Sequence, residues 1–128
     1  MKYLVDTQAW IGFLEGRKGF GSEARKLMTA HPTQCRISIA SIWEAAIKIG
    51  IGKLKLPYDL RDDLPRLLEE NGFKLLPIRF DEAAAVADLP RHHGDPFDRL
   101  MAAQAMANGL KVVSSDEVFD RYGLARIW

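Results

Sequence analysis

The chain has 128 residues, 48% of them hydrophobic and 27% charged, with a formal net charge of +1. A chain of that length buries roughly two thirds of its unfolded surface, so residues 1–128 are expected to form one domain with its own core. The near-neutral balance argues against a broad electrostatic grip on nucleic acid, lone Cys35 excludes an intramolecular disulfide framework, and no apolar run approaches the roughly 18 residues of a membrane span.

The first apolar run, Tyr3-Leu4-Val5, reads as a buried strand and ends at Asp6, too soon for a signal peptide. With a single cysteine, this predicts a cytoplasmic protein. A short helix follows through Leu14 and stops at Gly16. Ser22 to about Ala30 is a second helix with Ala24, Leu27 and Met28 on one face, and Arg36 to Ile39 a second strand. Ser41 opens a helix carrying Ile42, Ala45, Ala46 and Ile49, which ends at Gly50 and Gly52. Asp59 to Asn71 is amphipathic and helical, with Pro65 marking a later start as the alternative. Phe73 to Ile78 is a third strand and Asp81 to Leu89 another helix. Asp95 caps a long helix with Phe97, Leu100, Met101 and Ala105 at core spacing and Gly109 as terminator. Leu110 to Val113 is a fourth strand, Asp116 to Tyr122 a short helix, and Ala125 to Ile127 an edge strand. Strands alternating with helices of this length imply a mainly parallel sheet covered on both faces. Ligands of such sheets bind beyond the carboxyl ends of the strands.

Four acids are expected near that edge: Asp6 after the first strand, Glu44 in the first turn after the second, Asp98 in the long helix, and Asp116 after Lys111-Val112-Val113. Each has an ordinary explanation when taken singly. Ser41-Ile42-Trp43-Glu44 reads as a capping box, and Asp95-Pro96-Phe97-Asp98 as N-cap, proline and a dipole-favoured acid. Asp116 reads as a cap of its own helix, and Asp6 as a polar strand end. Capping does not require the acids to share one edge, however. Two carboxylates about 4 Å apart repel by about 4 kcal/mol at an effective dielectric near 20, so a convergent group calls for a cation or raised pKa values. Hard oxygen ligands without histidine or cysteine partners suit Mg²⁺ or Mn²⁺ rather than zinc, and such a site suits phosphoryl chemistry.

The stretches MKYLVDTQAWIGFL, SIASIWEAAIKIGIGKL, LPRHHGDPFDRLMAAQA and LKVVSSDEVFDRYG, in this order, resemble the PIN-domain nucleases. The match is nearest the bacterial branch that includes the VapC toxins of toxin–antitoxin pairs. The resemblance implies an α/β, PIN-like three-layer sandwich and an acidic pocket holding Mg²⁺ or Mn²⁺. The activity it implies is that of a ribonuclease, a hydrolase cutting RNA phosphodiester bonds to leave a 5′-phosphate and a 3′-hydroxyl. Carried over by position, Asp6, Asp98 and Asp116 hold metal and Glu44 completes the catalytic set by orienting the attacking water. Ser114 stands where the family often has a hydroxyl that positions water at the metal, and Asp95 is a cap beside the site. The resemblance also implies an antitoxin whose C-terminal segment blocks the pocket, with an arginine replacing metal charge. Together with apolar residues expected to be exposed on the early helices, it favours a homodimer.

Other residues carry less. His92 and His93 precede the Asp95 cap and read either as loop histidines packed at the helix start or as an acid–base pair, with a substrate contact also open to His93. Lys48 pairs with Glu44 at i,i+4 spacing or meets a substrate phosphate, a contact also open to Lys53, Lys55 and Arg99. Trp10, Trp43 and Phe97 serve core, interface or base stacking, and Cys35 reads as buried and inert. Two other classes compete with the toxin. One is an RNA-processing nuclease of the same fold, and the other a non-catalytic protein-binding module whose acids are caps. A phosphoacceptor receiver ranks last, because the first strand lacks an adjacent acid pair.

Overall fold

Leu4 and Val5, neighbours in β1 (Tyr3–Val5), are both fully buried yet belong to different halves of the core. Successive strand side chains point to opposite faces, so this pattern requires a sheet covered on both sides. The computed structural model describes residues 1–128 and has that sheet. Besides β1 it contains β2 (Cys35–Ser38), β3 (Lys74–Leu76), β4 (Lys111–Val113) and β5 (Arg126–Ile127). The order is β3-β2-β1-β4-β5 and every pairing is parallel. Seven α-helices flank it: α1 (Thr7–Glu15), α2 (Ser22–Ala30), α3 (Ile39–Gly50), α4 (Leu64–Glu70), α5 (Phe80–Ala85), α6 (Pro96–Asn108) and α7 (Val118–Arg121).

One face of the sheet, with Val5, Ile37 and Val113, packs on Trp10 and Ile11 of α1, Met28 of α2 and Leu64 and Leu68 of α4. The other, with Leu4, Leu76 and Val112, packs on Met101, Ala102 and Ala105 of α6 and on Phe119 of α7. This is the three-layer α/β sandwich expected. The chain leaves β1 toward β2 on one side and returns to β4 on the other, so the order reverses between β1 and β4. Register pairs Val5 with both Ile37 and Val113, which brings the carboxyl ends of the three central strands level.

Several boundaries differ from the sequence reading. The second strand ends at Ser38, because the Ser38 hydroxyl accepts from the Ala40 N–H and caps α3 three residues earlier than Ser41. Ser41 then lies inside the helix, buried, donating to the Ser38 carbonyl and accepting from the Trp10 indole. The expected Ser41–Glu44 capping box is therefore absent, and Glu44 falls in the second turn. The stretch from Asp59 to Asp63 is a turn closed on its own carboxylates, with Asp59 accepting from Arg61 and Asp62, and α4 begins only at Leu64 with Pro65 in its first turn. The third strand shortens to Lys74–Leu76, and the expected 81–89 helix is α5 followed by a single 3₁₀ turn over Val86–Asp88. The long helix stands as read: Asp95 accepts from the Phe97 and Asp98 N–H groups, and Gly109 ends it at φ 63°, where an L side chain is strained.

Candidate active site

Each acid is delivered by a junction whose local chemistry is visible in the chain. Asp6 leaves β1 as the N-cap of α1, its Oδ1 accepting from the Ala9 N–H at 2.8 Å. Asp98 is the third residue of α6, behind the Asp95 cap. Asp116 follows β4 and accepts from the Val118 N–H at 3.0 Å, which turns the chain into α7. Glu44 comes off α3, which follows β2. Asp6, Glu44, Asp95, Asp98 and Asp116 line one cavity of about 390 Å³ together with Thr7, Gln8, Lys48 and Ser115, and no hydrophobic side chain contributes to it. A larger groove of about 890 Å³, between the second half of α3 and the 52–62 loop, holds none of these pocket acids. Size therefore does not identify the site; chemistry does.

Inside the cavity, hydrogen bonds fix the carboxylates. Ser114, fully buried, donates to Asp6 Oδ2 and accepts from the Asp116 N–H, so it ties two of the acids together. Its hydroxyl thus commits its one proton to Asp6 and one of its two lone pairs to the Asp116 N–H. Thr7 donates to Glu44 Oε1 at 2.5 Å and Lys48 donates to Oε2 at 2.8 Å. Asp6 and Glu44 are 7% and 5% exposed, so neither is well screened by solvent.

The electrostatics record the crowding. Burial, reinforced by the charges of Glu44 and Asp116, pushes the Asp6 carboxyl up to about 6 against the pull of Ser114 and the Ala9 N–H. Burial first, then the neighbouring Asp95, Glu44, Asp6 and Asp116, pushes Asp98 up to about 7. The hydrogen bond to Glu44, with the nearby acids, raises Lys48 and keeps it cationic. The cavity is thus short of positive charge, with Lys48 its one cationic lining residue. Its donors are all oxygens, which fits Mg²⁺ or Mn²⁺. No three acidic, histidine or cysteine side chains close into a ready-made cage. Mg²⁺ does not require one, since it commonly keeps several waters and takes one or two carboxylates plus substrate phosphate oxygens.

Other expectations fall differently. Arg99 was read as a phosphate contact, but it is 6% exposed and donates to the carbonyls of Val86, Leu89, Pro90 and His93 and to the Tyr122 hydroxyl. It pins the loop before α6 and is not among the residues that line the cavity. His93, also read as a substrate contact, stands behind Asp98 and binds Tyr122, while His92 packs edge-on against the same tyrosine. Trp10 is fully buried and unavailable for base stacking; Trp43 is 57% exposed and meets Phe97 edge-to-face. Lys48 lines the cavity, whereas Lys55 lines the larger groove. Cys35 is buried and its thiol raised to about 11 by burial, as an inert cysteine should be. The sequence reading missed Thr7 and Tyr122. Thr7 had a signal in its place directly after Asp6; Tyr122 had none, because its partners are far away in the chain.

With this geometry in hand, the family is plain: the chain belongs to the PIN domain family, whose model matches residues 3–124. Solved structures share the fold. The DNA-bound VapBC complex from Salmonella typhimurium has a chain matching at a TM-score of 0.73 and 20% identity, covering 98% of this chain and 96% of that one. VapBC2 from Rickettsia felis, bound to a fragment of its promoter, matches at a TM-score of 0.71 and 16% identity over 98% and 97% of the two chains. VapC20 from Mycobacterium tuberculosis, a toxin that cleaves the sarcin–ricin loop, matches at a TM-score of 0.66 and 14% identity over 97% of both. Among curated proteins, none matches this chain in sequence.

Proposed function

We propose that this chain is a metal-dependent endoribonuclease acting as the toxin of a toxin–antitoxin pair, one PIN domain over residues 1–128. The observation that carries the reading is the delivery of five acids from four separate junctions into one cavity, with Asp6 and Asp98 held well above the usual carboxylate range. Capping alone gives no reason for such convergence, whereas a cation and a phosphodiester do.

Asp6, Asp98 and Asp116 would hold the metal directly or through its bound waters, with Ser114 setting the relative position of Asp6 and Asp116. Mg²⁺ or Mn²⁺ bound there supplies polarisation of the phosphate and a lower pKa for the attacking water. Glu44, aimed by Thr7 and Lys48, accepts the water's proton and orients it for in-line attack on phosphorus. The water oxygen bonds to phosphorus as the P–O3′ bond breaks, and the departing 3′-oxygen takes a proton from solvent, leaving a 5′-phosphate and a 3′-hydroxyl. Lys48, half-exposed at the cavity, balances Glu44 and reaches a phosphate oxygen. Asp95 acts through α6, holding the helix start that carries Asp98.

The partner is a cognate antitoxin whose C-terminal segment covers the cavity, an arginine standing in for the metal's charge. The VapBC complexes among the structural neighbours support that reading. Homodimerisation is supported by Ile39, Trp43 and Ile47, exposed at i, i+4 and i+8 along α3. No helix is long and apolar enough to cross a membrane; the proposed site of action is the cytoplasm. The test is induction of the chain without its partner. Growth arrest with RNA cleavage in Mg²⁺ or Mn²⁺, both lost in Asp6→Asn, is expected; arrest unaltered in that variant overturns the nuclease reading. Cleavage without arrest favours the RNA-processing alternative.

A further inference from the structure

The loop before α6 carries a hydrogen-bonded chain that the proposed chemistry does not use. Arg99 has only donors to offer. Its Nη1 donates to the Pro90 carbonyl at 2.9 Å and to the Tyr122 hydroxyl at 3.1 Å, and its Nη2 to the Val86 and Leu89 carbonyls at 3.3 Å each. The phenol oxygen therefore acts as acceptor toward Arg99, and its own proton is available to His93 Nδ1, 2.8 Å away. A neutral imidazole that accepts at Nδ1 carries its proton on Nε2. That nitrogen lies 3.4 Å from Asp98 Oδ2, a long contact. The opposite tautomer would leave the Tyr122 proton without an acceptor and turn a nitrogen lone pair toward the carboxylate. Tyr122 is 7% exposed, so water does not make good that loss.

We propose that His93 is a positioning residue for Asp98: the chain Arg99–Tyr122–His93–Asp98 fixes the imidazole with Nε2–H toward the carboxylate and presents Asp98 to a divalent cation in one orientation. Asp98 and Arg99 are adjacent on α6, so the backbone closes the chain into a ring. One end of it is the cavity acid and the other is a buried guanidinium that pins the 86–93 loop. Oδ2 is engaged by His93, while Asp98 faces the cavity with Oδ1 free of protein donors. Partners of this kind behind a metal ligand typically govern affinity or activity by about 10- to 100-fold. The inference rests on the reading of Asp98 as a cation ligand.

The test uses the full chain, purified free of partner, with Mn²⁺ as probe. Titration followed by electron paramagnetic resonance should show His93→Leu binding about tenfold or more weakly than wild type. Tyr122→Phe, which releases Nδ1, should fall between the two. His93→Gln, whose side-chain N–H reaches the Nε2–H position, should recover most of the loss; a purely space-filling role predicts no such recovery. Urea midpoints establish that the variants are folded. Separately, long-range proton–nitrogen spectra of the Mg²⁺-loaded protein should show His93 with Nδ1 bare and Nε2 protonated. Wild-type Mn²⁺ affinity in His93→Leu, or a proton on Nδ1 with Nε2 bare, overturns the positioning role alone. Absence of Mn²⁺ binding by the wild type, unchanged in Asp98→Asn, overturns the metal reading and the role with it.

Discussion

Ser114 donates to Asp6 Oδ2 while accepting the Asp116 N–H, so a buried hydroxyl at the end of β4 joins the acid that ends β1 to the acid that precedes α7. The two strands are register-paired neighbours at the point where the sheet order reverses, the place where ligands of open α/β sheets bind. Removing that hydroxyl leaves a buried carboxylate with one partner fewer. Ser114 lowers the Asp6 pKa, so Ser114→Ala should raise it further. The acid limb of the pH–rate profile should move to higher pH, with stability lower by about 1–3 kcal/mol. An unmoved acid limb argues that Asp6 is not the acid being titrated.

The same crowding makes stability depend on pH. Burial and the neighbouring carboxylates push Asp6 up to about 6 and Asp98 up to about 7 in the folded chain, well above the usual aspartate range. Between about pH 4 and 7 the folded state therefore holds more protons than the unfolded one, and unfolding free energy falls as pH rises. Metal-free protein should unfold at lower urea at pH 7.5 than at pH 5, by on the order of 1 kcal/mol once solvent at the cavity mouth is allowed for. Asp98→Asn should flatten the dependence. Saturating Mg²⁺ should reverse it, since the cation binds the ionised acids. A flat profile in the metal-free wild type contradicts the crowding.

The pattern of success and failure in the sequence has physical causes. The placement of Asp6, Asp98 and Asp116 at one edge was legible because each sits at a strand end or helix start, where local chemistry dictates a polar residue and topology dictates the edge. Asp95 and Gly109 were legible for the same local reason. The cap of α3 was not: Ser38 and Ser41 both precede an apolar helical pattern, and β2 pairing with β3 through Ser38 and Leu76 decides between them. The burial of Arg99 was not legible, because arginines are usually exposed. Here the carbonyls of the segment from the Val86–Asp88 turn through His93 required a multiple donor, and only the tertiary fold brings them together.

Arg99 yields a discriminating experiment of its own. A phosphate contact would lose substrate affinity on substitution and leave stability unchanged. A loop anchor bound to several buried acceptors should do the opposite. Arg99→Lys keeps the charge but not the planar fork, and should cost about 3 kcal/mol in urea unfolding while leaving KM for RNA within about twofold. A KM rise without loss of stability would restore the phosphate role.

Lys48 separates the needs of the metal from those of the substrate. It is the cavity's one cationic lining residue, paired with Glu44 at 2.8 Å and raised by that bond and by the nearby acids. Lys48→Met removes a positive charge that repels an incoming cation and attracts an incoming phosphate. The two effects have opposite signs. Mn²⁺ should bind roughly 3- to 10-fold more tightly, as expected for a partly exposed charge, while KM for RNA rises by a similar factor. Glu44 also loses the donor that aims its Oε2, so kcat should fall, and Thr7→Val, which removes the other donor, should lower kcat without changing KM. Tighter metal with weaker substrate identifies Lys48 as a phosphate contact. Weakening of both would instead mean that Lys48 acts only by holding Glu44 in place.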